Sequence, residues 1–266
     1  MALGNLPGVA LVGLTQSPVS GAADPDPMNP DLWNIALEVT VTEQATIDEV
    51  AAVAEASADF SEKYAGESLW VANVAVENID HEPDDDLPSQ SPARFEVYPS
   101  VRVSAAADAR EIMGLLALPG VTSVVLADGF PYLTVEGASD LATALALASG
   151  LELWHNGGSI WAEGGRVRLM DVPERLTDDG MNLIIATSIA YPAAQFWLEA
   201  MTVGPRWPRL YIDQVTTEAA AAITAGLTDP AMPTAMVNEY ELEFVIRANA
   251  ADGTTVDSGG VVGSRP

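Results

Sequence analysis

The sequence predicts an α+β chain assembled from repeated strand, strand, helix units. Three observations predict it. Apolar residues alternate with period two in segments such as 33–41, and they recur at helical spacing in the segments that follow. The phrase Leu6-Pro7-Gly8-Val9 returns as Leu118-Pro119-Gly120-Val121, each time ahead of an apolar run. With 48% hydrophobic residues in a chain of 266, there is enough apolar surface for one large core or two small ones.

The first apolar run, 9–14, reads as a strand, and the Pro-, Asp- and Ser-rich segment 16–31 as a loop. In 33–41, Trp33, Ile35, Leu37, Val39 and Val41 interleave with Asn34, Ala36, Glu38 and Thr40, the pattern of a half-buried strand. Thr46-Ile47-Asp48-Glu49 is a capping box, in which the Thr hydroxyl and Glu carboxylate satisfy free amides of a first helical turn. Ile47, Val50, Ala51, Ala54 and Ala58 then share a helical face, and the helix is expected to end near Ala65-Gly66. A strand over 69–79 leads into 81–92, whose prolines and charge run mark a loop.

Residues 94–103 read as the next strand, followed by a helix with Ala109, Ile112, Met113 and Leu116 on its inner face. A strand at 121–127, the tight-turn signal Asp128-Gly129, a strand at 132–135 and a helix over 139–149 come next. Strands at 151–161 and 166–171 precede a helix in which Met181, Ile184, Ile185, Ser188 and Ile189 share one face, ended by Tyr191-Pro192. Strands at 195–202 and 209–213, an Ala-rich helix at 216–227 and a strand at 239–247 complete the series. Beyond Asn249 the chain is Gly- and Ser-rich, with one edge strand expected at 260–262.

In phase, the order strand, helix, strand, strand, helix, strand runs over 33–127 and again over 132–202, which is the order of a ferredoxin-like sandwich. The expectation is therefore tandem ferredoxin-like sandwiches, antiparallel sheets with helices on one face. Residues 1–128 form a first domain with acidic loops, 129–250 a second region plus a half-unit, and 251–266 a tail. The strand at 9–14 has no place in the first sandwich and could complete the half-unit. The alternative is a single long sheet with every helix on one side.

The charge balance narrows the partners. Thirty-eight acidic against eleven basic residues give a formal charge of −27, and the basic set is ten Arg with the single Lys63. Such a field repels phosphate backbones, so nucleic acid and anionic membrane surfaces are disfavoured. Cysteine is absent, which excludes disulfides, thiolate nucleophiles and zinc knuckles and leaves the redox compartment open. The opening Met1-Ala2-Leu3-Gly4-Asn5-Leu6-Pro7 has no positively charged segment and does not read as a secretory signal. The longest apolar stretch, 141–151, is about half of what a membrane-spanning helix needs, so no transmembrane segment is expected.

Chemistry-bearing motifs are scarce. His81 and His155 are the two histidines; His155 precedes the turn signal Asn156-Gly157-Gly158 and reads as a solvated turn residue. No Ser lies in a Gly-x-Ser-x-Gly elbow, and phosphate-cradling glycine loops are missing. Glu82, Asp84, Asp85 and Asp86 lack the alternate ligand spacing, fixed glycine and terminal Glu of a calcium loop, and Asp24 and Asp26 have its first spacing but with prolines intervening and no glycine, so both read as solvated acidic loops. Residues 204–211 set Arg206 and Arg209 beside Trp207 and Tyr211, a binding hot-spot composition that also suits a packed strand start. No catalytic, cofactor or metal residues are assigned, and the chain is expected not to be an enzyme.

With Leu6-Pro7-Gly8-Val9, Leu118-Pro119-Gly120-Val121, Val172-Pro173-Glu174 and Gly204-Pro205-Arg206-Trp207-Pro208-Arg209-Leu210-Tyr211 in view, the chain resembles an uncharacterised group of lipid-anchored envelope proteins from high-GC Gram-positive bacteria. The resemblance covers about residues 3–247 and implies an export signal and a lipid-modified Cys upstream of this sequence, neither of which it contains. It implies an extracytoplasmic, membrane-anchored protein, and the repeat together with the absence of a catalytic set points to a non-catalytic scaffold or binding protein with an envelope partner. The alternative is a cytoplasmic or virion assembly component, and third is an enzyme with a carboxylate-based site.

Overall fold

The computed structural model describes residues 3–18, 33–64, 69–77, 93–97, 104–127, 129–155, 157–162, 167–171, 178–199, 208–232, 234–237 and 240–263. Its strands are β1 (Val9–Pro18), β2 (Trp33–Thr42), β3 (Leu69–Glu77), β4 (Ala93–Val97), β5 (Val121–Ala127), β6 (Phe130–Val135), β7 (Gly158–Ala162), β8 (Val167–Asp171), β9 (Gln195–Glu199), β10 (Arg209–Thr216), β11 (Met236–Val237), β12 (Tyr240–Glu241), β13 (Glu243–Asn249) and β14 (Thr255–Val261). Its helices are α1 (Ile47–Tyr64), α2 (Ala105–Leu116), α3 (Leu141–Ala148), α4 (Asp178–Ala190) and α5 (Thr217–Leu227). The order strand, strand, helix thus occurs five times among the described residues.

The chain divides into two compact units, one of Met1–Leu118 with Ser123–Gly129 and the other of Pro119–Thr122 with Phe130–Pro266. In the first, the strand order is β1-β2-β3-β4-β5; in the second it is β6-β7-β8-β9-β10-β13-β14. Two strands joined directly by a turn or loop pair antiparallel, as β1 with β2 and β7 with β8 do. Two strands joined through a helix lie side by side and parallel: β2 with β3, β4 with β5, β6 with β7, β8 with β9 and β10 with β13. The fold is therefore mixed α+β with sheets of mixed orientation.

This corrects the all-antiparallel sheet expected for a ferredoxin-like sandwich, where a third strand separates each helix-linked pair. In the first unit, Val39 of β2 faces Val74 of β3 directly, and Asn73 Nδ2 donates to Glu38 Oε1 at 2.8 Å across the same pair. Element order is common to both arrangements, whereas side-chain complementarity between neighbours selects this one.

Within each unit the helices pack against one sheet face and against one another, α1 on α2 and α4 on both α3 and α5. Small residues make this approach close: Ala51, Ala54, Ser57, Ala58 and Ser61 of α1 are buried, with Ala105 and Ala109 on α2. Thr46 and Glu49 form the expected box, Thr46 N donating to Glu49 Oε2 at 2.8 Å and Glu49 N to Thr46 Oγ1 at 3.3 Å. Ile47 is nonetheless 45% exposed, because it precedes the buried face that begins at Val50. On α2 the inner face is Ala105, Ala109, Ile112 and Leu115 in place of the expected Met113 and Leu116, and on α4 Ile189 is exposed at the helix end.

Residues 151–155 depart furthest from expectation. The chain turns in a 3-10 helix at Glu152–Trp154, so the strand expected over 151–161 starts only at Gly158. Trp154 is fully buried, and its ring occupies the space in which a side chain at position 158 would lie. At the other end of the second unit, β14 pairs antiparallel with β13 over Thr255–Val261, so seven residues of the segment read as a tail extend the sheet.

On α2, Asp108 titrates above its ordinary value of 3.8, first because of burial and second because of Glu111. A carboxyl whose folded-state value is raised binds its proton more readily when folded, so its contribution to stability falls as the pH rises through that window. Asp108→Asn is therefore expected to gain stability relative to the parent chain as the pH rises from 3.8 toward neutrality. Thermal melts of both chains across that range measure it; a difference independent of pH would refute the burial account.

Candidate functional site

The residues singled out in the sequence separate in the structure. His155 is an exposed residue closing the 3-10 turn, its amide donating to Glu152 O at 3.0 Å. Among the described residues no group of three His, Cys, Asp or Glu side chains is placed to hold a metal ion. His81, Glu82, Asp84, Asp85, Asp86, Asp24, Asp26, Arg206 and Trp207 lie outside the described residues, as does Val172-Pro173-Glu174. Of the 204–211 tract, Arg209 and Tyr211 are placed on β10.

Strand alternation builds the site that remains. In the second unit, Leu133, Ile160, Leu169, Leu198, Leu210 and Phe244 point to the helices and are buried. The intervening positions face the other way, and register brings one from each strand into a row: Thr134 opposite Trp161, Trp161 opposite Arg168, Arg168 opposite Trp197, and Trp197 opposite Tyr211. The row continues through Val245 to Gly259. Cross-strand partners on one face are in side-chain contact distance, so four bulky groups from β7, β8, β9 and β10 form a continuous strip.

The strip is internally organised. The Arg168 guanidinium carbon lies 4.6 Å from the Trp161 ring centroid and 5.2 Å from that of Trp197, so the cation is held between two indoles. Ser159 Oγ accepts from Trp161 Nε1 at 2.9 Å and from Arg168 Nε at 3.5 Å. The Trp197 and Tyr211 rings are 6.5 Å apart at a 58° tilt. Among the described residues Arg168 forms no ion pair, which is unusual for a cation in a chain of charge −27.

Along β9, β10 and β13 the flanking rows are polar. On one side, Arg209 stands opposite Glu199 and Glu243, with Arg209 Nη2 donating to Glu243 Oε2 at 2.6 Å. That hydrogen bond holds the Arg209 proton more firmly than usual. On the other side lie Gln195 opposite Asp213, and Arg247 paired with Asp257 at 3.5 Å. Trp197 is the most open member of the strip, with 45% of its surface exposed, while Trp161, Arg168 and Tyr211 are half-buried.

The sequence reading found Tyr211 and missed Trp161, Arg168 and Trp197. Their signal was present: Ile160-Trp161-Ala162 and Phe196-Trp197-Leu198 are apolar on both faces of short strands, where a solvated face would carry polar residues. The chain matches no protein-family model, no curated protein and no solved structure. No described helix is long and apolar enough to cross a membrane.

Proposed function

We propose that this chain is a non-catalytic, envelope-associated scaffold or binding protein that contacts its partner through the open face of the second unit. The observation that carries the reading is the exposed Trp197 within an ordered strip of Trp161, Arg168 and Tyr211. Trp, Tyr and Arg dominate binding energy because they offer large contact areas at low entropic cost. The strip's cation is pre-ordered by stacking, which lowers the cost of engaging a ligand. Extracytoplasmic placement, with an anchor contributed by an upstream segment, follows from the sequence resemblance.

The test is retention of the purified chain on isolated cell walls of a high-GC Gram-positive bacterium. The parent chain is expected to sediment with the walls, and Trp197→Ala to weaken retention by about tenfold or more, the scale of a hot-spot residue. Equal retention of the two chains would refute the assignment of this face.

A second reading, an assembly component, is favoured by β1. It ends the strand order of the first unit, spans ten residues with no charge, and exposes Leu11 at 65% and Leu14 at 60%. An uncharged apolar edge is a template for strand pairing, and it lies in a chain whose acidity elsewhere opposes self-association. On this reading the parent chain forms dimers or longer species in sedimentation velocity, and Leu11→Lys with Leu14→Lys returns it to monomer. A parent chain that stays monomeric at high concentration excludes it.

A further inference from the structure

We infer that the ligand of the open face is a linear, uncharged glycan lying across the strands along the Trp161–Arg168–Trp197–Tyr211 row. The inference rests on the binding role proposed above and adds the chemical class of the ligand. Shape comes first. The strip is one side chain wide and runs over three strand spacings from β7 to β10, about 14 Å at the usual separation of neighbouring strands. Along β9, β10 and β13 its borders are hydrogen-bonding groups, Glu199, Arg209 and Glu243 on one side and Gln195, Asp213 and Arg247 on the other, and beside Trp161 the border is Ser159.

A ligand that fits must be narrow, with apolar faces for the rings and polar edges for both borders. A pyranose chain has that construction, since its ring faces present C–H groups and its hydroxyls project sideways. An amphipathic helix does not fit, because its apolar stripe is about 100° wide and would bury the bordering carboxylates against it.

Charge then weighs against polyanions in general and against a polycation at the centre of the strip. Nucleic acid and polyanionic polymers meet the field of a chain of charge −27. A polycation is drawn by that field, but along the strip it would be set against Arg168, which occupies the middle and has no ion-pair partner among the described residues. A neutral polyhydroxylated chain meets neither obstacle. The edge of the stacked guanidinium donates to its hydroxyls, while Glu199, Gln195 and Asp213 accept from them.

The deciding experiment compares retention on untreated walls with retention on walls freed of protein by protease and hot detergent. Linear hexasaccharides of β-1,4-linked glucose, β-1,4-linked N-acetylglucosamine and α-1,6-linked mannose are then added as competitors. Retention is expected to survive protein removal and to be displaced by at least one hexasaccharide. Direct titration of that hexasaccharide should change the tryptophan fluorescence, with affinity falling tenfold or more in Trp197→Ala. Ile189→Ala, at an exposed position on α4, should bind within twofold of the parent. Circular dichroism confirms that both variants fold. Retention that disappears with the wall protein, or with anionic wall polymers extracted by hydrofluoric acid, overturns the glycan and leaves a binding face for another partner. A parent chain that untreated walls do not retain overturns the binding role itself.

Discussion

Gly158→Ala is expected to destabilise the protein by about 3 kcal/mol, the upper range for overpacking a core. A Cβ at this position would lie 2.4 to 2.6 Å from three ring carbons of Trp154. The indole has little freedom to yield, because Trp154 is fully buried and is the last residue of the 3-10 turn that places it. Removing the ring, as Trp154→Ala, is expected to cost about 3–5 kcal/mol through lost burial and the cavity left behind. Because the two positions share one volume, the double variant should be more stable than the sum of the single losses implies, by about 1 kcal/mol or more. Urea unfolding of the four chains, compared at their midpoints, measures this. Strict additivity would mean that position 158 and the ring do not share that space.

Gly8→Ala and Gly120→Ala are each expected to cost about 2–3 kcal/mol, the left-handed penalty for a residue with a Cβ plus a steric term. Both glycines have positive φ, 79° and 77°. An added Cβ would sit 2.9 Å from Ala45 Cβ in the first case and 2.8 Å from Asp140 Cγ in the second. The two carbonyls do equivalent work: Gly8 O accepts from Thr42 N at 2.9 Å, and Gly120 O accepts from Glu136 N at 2.7 Å, the donors standing at or just past the end of the second strand that follows each glycine. Gly129 separates the two contributions. Its φ is 72°, but no atom lies within 4 Å of its Cβ position, so Gly129→Ala should cost only the conformational part, about 1 kcal/mol. Thermal melts that rank Gly129→Ala level with the other two would remove the steric term.

These positions also show where sequence reasoning succeeds. The Leu-Pro-Gly-Val phrases were legible because a glycine obliged to take positive φ leaves a fixed residue type at a fixed distance from the strand it precedes. The Thr46–Glu49 box was legible for the same local reason, as two residues three apart satisfy one helix end. The turn at Glu152–Trp154 was not legible, since an apolar run before a strand has no period that separates it from more strand. Trp154 can lie where it does because Gly158, four residues on at the start of β7, has no side chain to exclude the ring, a relation that exists only once the fold has formed around both.

The candidate site divides in the same way. Tyr211 was noticed from its neighbours in sequence, but its partners Trp197, Arg168 and Trp161 are 14, 43 and 50 residues away in the chain and meet it only through strand register. By itself, the sequence determined composition, acidity, the strand and helix succession and the local caps and turns, because each depends on residues within a few positions of one another. Which strands are neighbours, that helix-linked strands run parallel, and that outward residues of four strands fall into one row were decided by tertiary structure alone. Pairing is selected by the fit of side chains across strands, and element order carries no record of that fit.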